Sequence, residues 1–206
     1  MVVAGCLTLC WAVPAAACPE DRTHCFELVT HVVHKDGTPV VDAAWLDAQI
    51  AHANRLFKPV SVGFFRVAPF RKLPASYAST NTRAQRDAIG GAWARGSIHV
   101  FIVEHLANVD DPGEINGVHW RNRANRSQRW ILLSSIAWEL TLAHEIGHFF
   151  GLPHSEYLIS IMNKSPRADP KPGDRVFHSD EIARMKRRKK AMLKDRVLTS
   201  RRPDLP

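Results

Sequence analysis

The sequence predicts an α/β (α+β) domain, a twisted mixed sheet with two long helices and a further helix at its C-terminal end. Three observations lead there. Short runs rich in β-branched and aromatic residues recur at 26–34, 61–67, 98–103 and 130–133, with the length and composition of strands. Two apolar stripes at helical spacing lie between and after them. A basic helical segment then follows a proline-broken loop. The order strand, helix, three strands, helix, loop, helix suits one sheet layered with helices. With 206 residues, 45% hydrophobic and 23% charged, the chain has globular proportions and is long enough for one core.

Residues 1–17 (MVVAGCLTLCWAVPAAA) carry no charge and end in Ala15, Ala16 and Ala17. That is the layout of a secretory signal peptide, although no Lys or Arg stands near Met1. A membrane anchor needs roughly 20 apolar residues, and no later segment is apolar enough to span a bilayer. The expected location is therefore secreted or cell-envelope. Cys6 and Cys10 fall inside the leader, which leaves Cys18 and Cys25. Small residues before Cys18 resemble a bacterial lipoprotein cleavage site, with Ala15 where Leu is usual. Two fates stay open: a lipid on Cys18, attaching the chain to a membrane and leaving Cys25 a lone thiol, or a Cys18–Cys25 disulfide in an oxidising compartment.

Further along, 26–34 is a predicted strand. Asp42 is a predicted N-cap for a helix through about Leu56, with Leu46, Ile50, Ala53 and Phe57 on one face. Residues 61–67 form a second strand, 68–96 a loop with a short helix, and 98–103 a third strand. The stretch 104–128 reads as irregular, with a turn at Asp110, Asp111, Pro112 and Gly113. After a strand at 130–133, Ser135 is expected to cap a helix running through Phe150, with Leu140, Ala143, Gly147 and Phe150 facing the core. Three prolines break 166–173. Ser179 is expected to cap a last helix from Asp180 to about Leu193. The net charge is +8, and most of it lies in 179–206, where ten Lys/Arg face four Asp/Glu.

The chemistry concentrates in 142–155, LAHEIGHFFGLPHS. His144 and His148 stand four apart on a predicted helix, so both imidazoles lie on one face, one turn apart, within reach of one metal ion. Gly151 tolerates the positive φ of a sharp helix exit, and Pro153 discourages continuation. The reversal returns His154 toward the first two. Three nitrogen ligands and one open position describe a catalytic zinc site rather than a closed structural one. Glu145 points elsewhere around the helix and is free to act as base on a zinc-bound water, hydrolysing a peptide bond.

These residues resemble the signature of the metzincin clan of zinc peptidases, HExxHxxGxxH followed by a Met-turn. His144, Glu145, His148, Gly151 and His154 match the first part, and Ser160, Ile161, Met162 and Asn163 look like the second. The resemblance implies a metzincin-like zincin domain over 18–193, a basic tail over 194–206, and Met162 as an apolar floor beneath the ligands. Ser155 resembles matrixins, whereas IHVFIV, SIMNKS and FHSDEIARMK are more similar to pappalysin-type enzymes. Lys164 stands where many members have a Tyr that assists the transition state; Tyr157 is the nearest tyrosine in sequence. The implied function is an exported zinc metalloendopeptidase, a monomer using one Zn²⁺ and a protein or peptide substrate. The alternatives are a zinc-binding recognition module of the same fold without peptidase activity, and a basic surface-binding protein.

Other candidates are weaker. His31 and His34 fall on opposite faces of a strand and do not share a metal. Asp110, Asp111, Glu114 and Asn116 make an oxygen-rich loop without a full calcium pattern, so Ca²⁺ is unsupported. His119 and Trp120 are expected to line the substrate cleft. The basic run 185–194 reads as a solvated helix face, with nucleic acid not expected as a partner of an exported chain.

Overall fold

The structure, a computed structural model, describes residues 17–202, so the expected leader lies outside the described residues except for Ala17. The elements are β1 (His24–Lys35), β2 (Thr38–Pro39), α1 (Ala43–Leu56), β3 (Val62–Phe65), β4 (Arg71–Leu73), β5 (Ser79–Thr80), α2 (Arg83–Ala88), β6 (Ile98–Val103), β7 (His105–Leu106), β8 (Gly117–Arg121), β9 (Arg129–Ser134), α3 (Thr141–Phe149) and α4 (Ser179–Lys194). The main sheet runs in the order β2-β1-β6-β9-β8, with β3 and β4 also paired to β1. β3, β4, β6 and β9 join in parallel, whereas β2 and β8 are antiparallel to their neighbours. This is the mixed sheet the sequence predicts. Among the described residues, no helix is long and apolar enough to cross a membrane.

The unbroken apolar runs IHVFIV and WILLS arise because both sheet faces are covered. On one face Val100, Ile102, Ile131 and Leu133 join a core with α1, α3 and α4. On the other, Phe101, Val103, Trp130 and Leu132 join a smaller core with Ile89 and Leu106. Each fully buried aliphatic or aromatic side chain contributes about 1.5–3 kcal/mol. The expected stripe Leu46, Ile50, Ala53 and Phe57 is wholly buried, and Asp42 caps α1 by accepting from the Trp45 N–H at 2.7 Å.

Three expectations are corrected. The stretch 104–128 holds β8, an antiparallel edge strand paired with β9, which its half-buried side chains do not advertise. The helix expected from Ser135 starts at Thr141, because 134–140 is spent on turns: the Ala137 N–H bonds Ser134 O and the Thr141 N–H bonds Trp138 O. Ser135 Oγ donates to Glu104 O instead of capping. The cap comes from α1, where the buried Gln49 accepts from the Leu142 N–H at 3.1 Å and donates to Ala137 O and Trp138 O. α4 is capped one residue before Ser179, by His178, with Glu181 closing the capping box.

At the N-terminal end Cys18 and Cys25 form a disulfide. It consumes the sulfur that a lipid on Cys18 needs and leaves no lone thiol at Cys25. The segment expected as a basic tail is fastened down through Arg202. Leu198 is buried, the Thr199 N–H bonds Gly96 O, and the Arg201 N–H bonds Cys25 O.

His31 does not meet His34 but pairs with His99 across β1 and β6, Nε2 to Nδ1, at 3.1 Å. The Ala94 N–H donates to His99 Nε2 at 3.0 Å. His99 Nδ1 therefore carries the proton and donates to His31, and both rings are neutral. Burial, and then the charge of Arg71, hold His99 down to about 4. Burial and the neighbouring His99 hold His31 down to about 3.

Two predictions follow from this packing. Unfolded histidine titrates near ~6.5, above both folded values, so below that pH the unfolded state binds more protons. Thermal melts should show stability falling as pH drops from about 6.5 toward 4, by up to about 1.4 kcal/mol per pH unit for each ring. A His31→Leu/His99→Leu variant should have a shallower profile, and an unchanged profile would count against the pair. Gln49→Ala, which strips the cap from α3, should cost about 3 kcal/mol in urea unfolding. A loss under about 0.5 kcal/mol would mean that water replaces the amide.

Candidate metal centre

α3 ends in a Schellman arrangement that follows from its sequence. Gly151 has φ +86, its N–H bonds His148 O, and the Leu152 N–H bonds Gly147 O. The reversal turns Leu152 O back toward the helix, where it accepts from His148 Nδ1 at 2.7 Å. His144 Nδ1 donates at 2.7 Å to Ile161 O, in the turn that holds Met162. A carbonyl only accepts, so both Nδ1 atoms are protonated. Both Nε2 lone pairs are thereby left free on the inward side.

The three histidines do meet. One ring nitrogen of each of His144, His148 and His154 lies within 4.8 Å of the others. His148 Nε2 and His154 Nε2 are 3.3 Å apart. Two nitrogens at about 2.0–2.1 Å from one zinc, subtending a tetrahedral angle, stand about 3.3–3.4 Å apart. The spacing fits a zinc ion. Burial holds His144 down to about 4, helped by His148, and lowers His148 and His154 as well. All three rings are therefore in the neutral form that binds metal.

Glu145 is not part of the ligand cluster. It lies buried beside it at 5% exposure. Burial pushes its carboxyl up to about 8, against a hydrogen bond from the His119 backbone and the charge of Arg86. Met162, the methionine of the expected Met-turn, packs against α3 at Gly147. It is fully buried, and a Cβ on Gly147 would come within 2.6 Å of its Sδ. The bare glycine in α3 is what lets the methionine seat against the helix.

Glu181 is a residue that sequence reasoning missed. Besides capping α4, its carboxylate accepts from Ser155 Oγ at 2.7 Å and from Ser160 Oγ at 2.9 and 2.7 Å. Ser160 Oγ in turn accepts from the Met162 N–H at 2.9 Å. One buried carboxylate thus joins the residue after His154, the Met162 turn and α4. The capping-box pattern ahead of the last helix is the only sequence signal that bears on it.

Two cavities flank the histidines. One, of about 500 Å³, is lined by Trp138, His144, Glu145, Lys164, Arg167 and Arg175 among others. The other, of about 860 Å³, includes Gly117, His119, His148 and His154. Lys164 reaches both. His119 lines the cleft as expected, but Trp120 does not. Strand alternation turns it to the opposite face, where its indole donates to Asp87 at 2.8 Å under the Arg86 guanidinium. Tyr157 lines neither cavity; its hydroxyl donates to Asp180 and its ring stacks on His178. In the oxygen-rich loop Asp110 pairs with Arg83 and Glu114 with His105.

No family model and no curated protein matches the chain. Solved structures do. Mature mirolysin of Tannerella forsythia, in complex with a cleaved peptide, superposes with TM-score 0.57 at 13% identity, covering 87% of this chain and 99% of that one. Metalloproteinase-II from Bacteroides fragilis gives TM-score 0.52 at 16% identity, over 86% of this chain and 57% of that one. Archaemetzincin from Methanopyrus kandleri gives 0.52 at 16%, over 80% and 96%. The likeness is one of fold: the sheet and helices have the metzincin-type zincin arrangement. It does not separate the matrixin-like from the pappalysin-like motifs.

Calorimetric titration should show one Zn²⁺ bound per chain, with a rise in melting temperature that grows with zinc concentration. His154 is exposed, so His154→Ala should abolish both effects and leave the metal-free melting temperature unchanged. Undiminished zinc binding by that variant would remove His154 from the site.

Proposed function

We propose that this chain is an exported zinc-dependent endopeptidase with Glu145 as its general base. The observation that carries the reading is the convergence of three neutral imidazole nitrogens, at the spacing of a tetrahedral zinc site, beside a buried carboxylate that is not a ligand. His144, His148 and His154 would hold zinc, which when bound would supply the Lewis acidity to polarise a scissile carbonyl and lower the pKa of water to about 7.

The chain's own residues supply the rest. Burial raises the Glu145 carboxyl, and the positive charge of a zinc ion beside it would favour the ionised form; as a carboxylate it takes the proton of the attacking water and passes it to the leaving amine. β8 pairs on one side only among the described residues, so its free edge offers backbone groups to an extended peptide. Cavities on both sides of the histidines suit a substrate that continues in both directions, hence internal cleavage. Mirolysin was solved with a cleaved peptide, which supports a peptide as the occupant here. The uncharged stretch 1–17 and the Cys18–Cys25 disulfide support export to an oxidising compartment.

Glu145→Gln keeps size and hydrogen bonding but not the base. Against a mixed peptide library, the zinc-loaded parent should cleave, and the variant should lose about 10²–10⁴-fold in kcat with its zinc content intact. Equal cleavage by both would dismiss Glu145 as the base. No cleavage by either, with zinc bound, would point instead to a recognition module.

A further inference from the structure

Beyond His148 the cleft runs on into a third cavity, of about 570 Å³, lined by Arg121, Arg184, Arg187 and Arg188 with Gly151. Arg121 and Arg184 line both spaces, so the two are continuous. Arg184, Arg187 and Arg188 stand at i, i+3 and i+4 on α4, a spacing at which like charges destabilise a helix. None of the four guanidinium groups forms an ion pair or a side-chain hydrogen bond among the described residues. A fifth arginine lies behind them. Arg129 stacks on Phe149 with its carbon 4.9 Å from the ring centre; burial, and then Arg121 and Arg188, hold it down to about 10. Arg123, by contrast, is paired with Asp87. Here fork-shaped donors suited to carboxylates are gathered without any.

We propose that the cavity of Arg121, Arg184, Arg187 and Arg188 binds the carboxylates of an acidic stretch in the polypeptide substrate. The proposal rests on the peptidase reading above and adds the substrate class. Continuity with the cleft favours a substrate segment over a separate polyanion. β8 runs from Gly117, beside Glu145, to Arg121, at the cavity. A peptide extended along that edge advances about 3.4 Å per residue, so the acidic residues fall about three to six positions from the cleaved bond. At the opposite end of the cleft Lys164 lines the cavity, while Arg167 and Arg175 are held by backbone carbonyls of Leu158, Ser160, Asn163 and Pro170.

The test uses the full chain loaded with zinc and three fluorescent peptides. One is a neutral core, one carries four Glu on one side of that core, and one carries four Lys there; each extension is made on either side. Binding is read by anisotropy on the Glu145→Gln protein, where nothing is cleaved. One Glu-extended peptide should bind at least tenfold more tightly than the core, less so as salt rises. Arg187→Ser/Arg188→Ser should lose that advantage. With Glu145 intact, the Glu extension should lower KM, and the double variant should still cleave the neutral core at the parent rate. Equal binding of the Glu, Lys and neutral peptides overturns the proposal. So does tight binding of a sulfated polysaccharide that the Glu peptide does not displace. If no peptide is cleaved, the peptidase reading fails, while anisotropy still decides whether the arginines hold carboxylates.

Discussion

Two backbone carbonyls hold the centre of this molecule. Ile161 O and Leu152 O each take an imidazole Nδ1–H, and that choice of tautomer turns the other nitrogen of each ring into a ligand. Neither carbonyl is placed by α3 alone. Leu152 is aimed by the left-handed turn at Gly151. Ile161 is held in a turn fastened by Ser160 to Glu181, so the first turn of α4 takes part in orienting His144. Upstream, Gln49 of α1 fixes where α3 begins. The ligands are thus positioned by contacts drawn from across the sequence, and the helix that carries two of them is only nine residues long.

What was legible in the sequence was local. His144, His148, Gly151 and His154 are linked by helical pitch and a helix exit, which depend only on neighbours along the chain. The strand 98–103 was recovered to the residue because a run buried on both faces needs no partner to be recognised. What failed was non-local. Ser135 looked like a cap, but the cap of α3 lies 93 positions away in Gln49. β8 was missed because its side chains are only half buried, so no apolar run marked it. Trp120 was placed in the cleft together with His119, although alternation sends adjacent side chains to opposite faces once a strand exists. Glu181 read as an ordinary first-turn acid, since its two serine partners stand 26 and 21 residues earlier.

α4 shows how one element carries unrelated demands. Met185 and Met192 face the core, and Glu181 faces the metal centre. The remaining face is so basic that charge alone would disfavour the helix. It persists because burial and capping at its N-terminal end outweigh that repulsion.

The two ends of the described chain are bound to one another. The last described residues bond Gly96 and Cys25, and Arg202 reaches the carbonyls of Glu20 and Arg22. β1, the strand on which much of the sheet is built, therefore lacks its final partners until the segment around residue 200 has been synthesised. A chain cut before residue 199 would leave Gly96 O and Cys25 O without these donors and the start of β1 without its closing contacts.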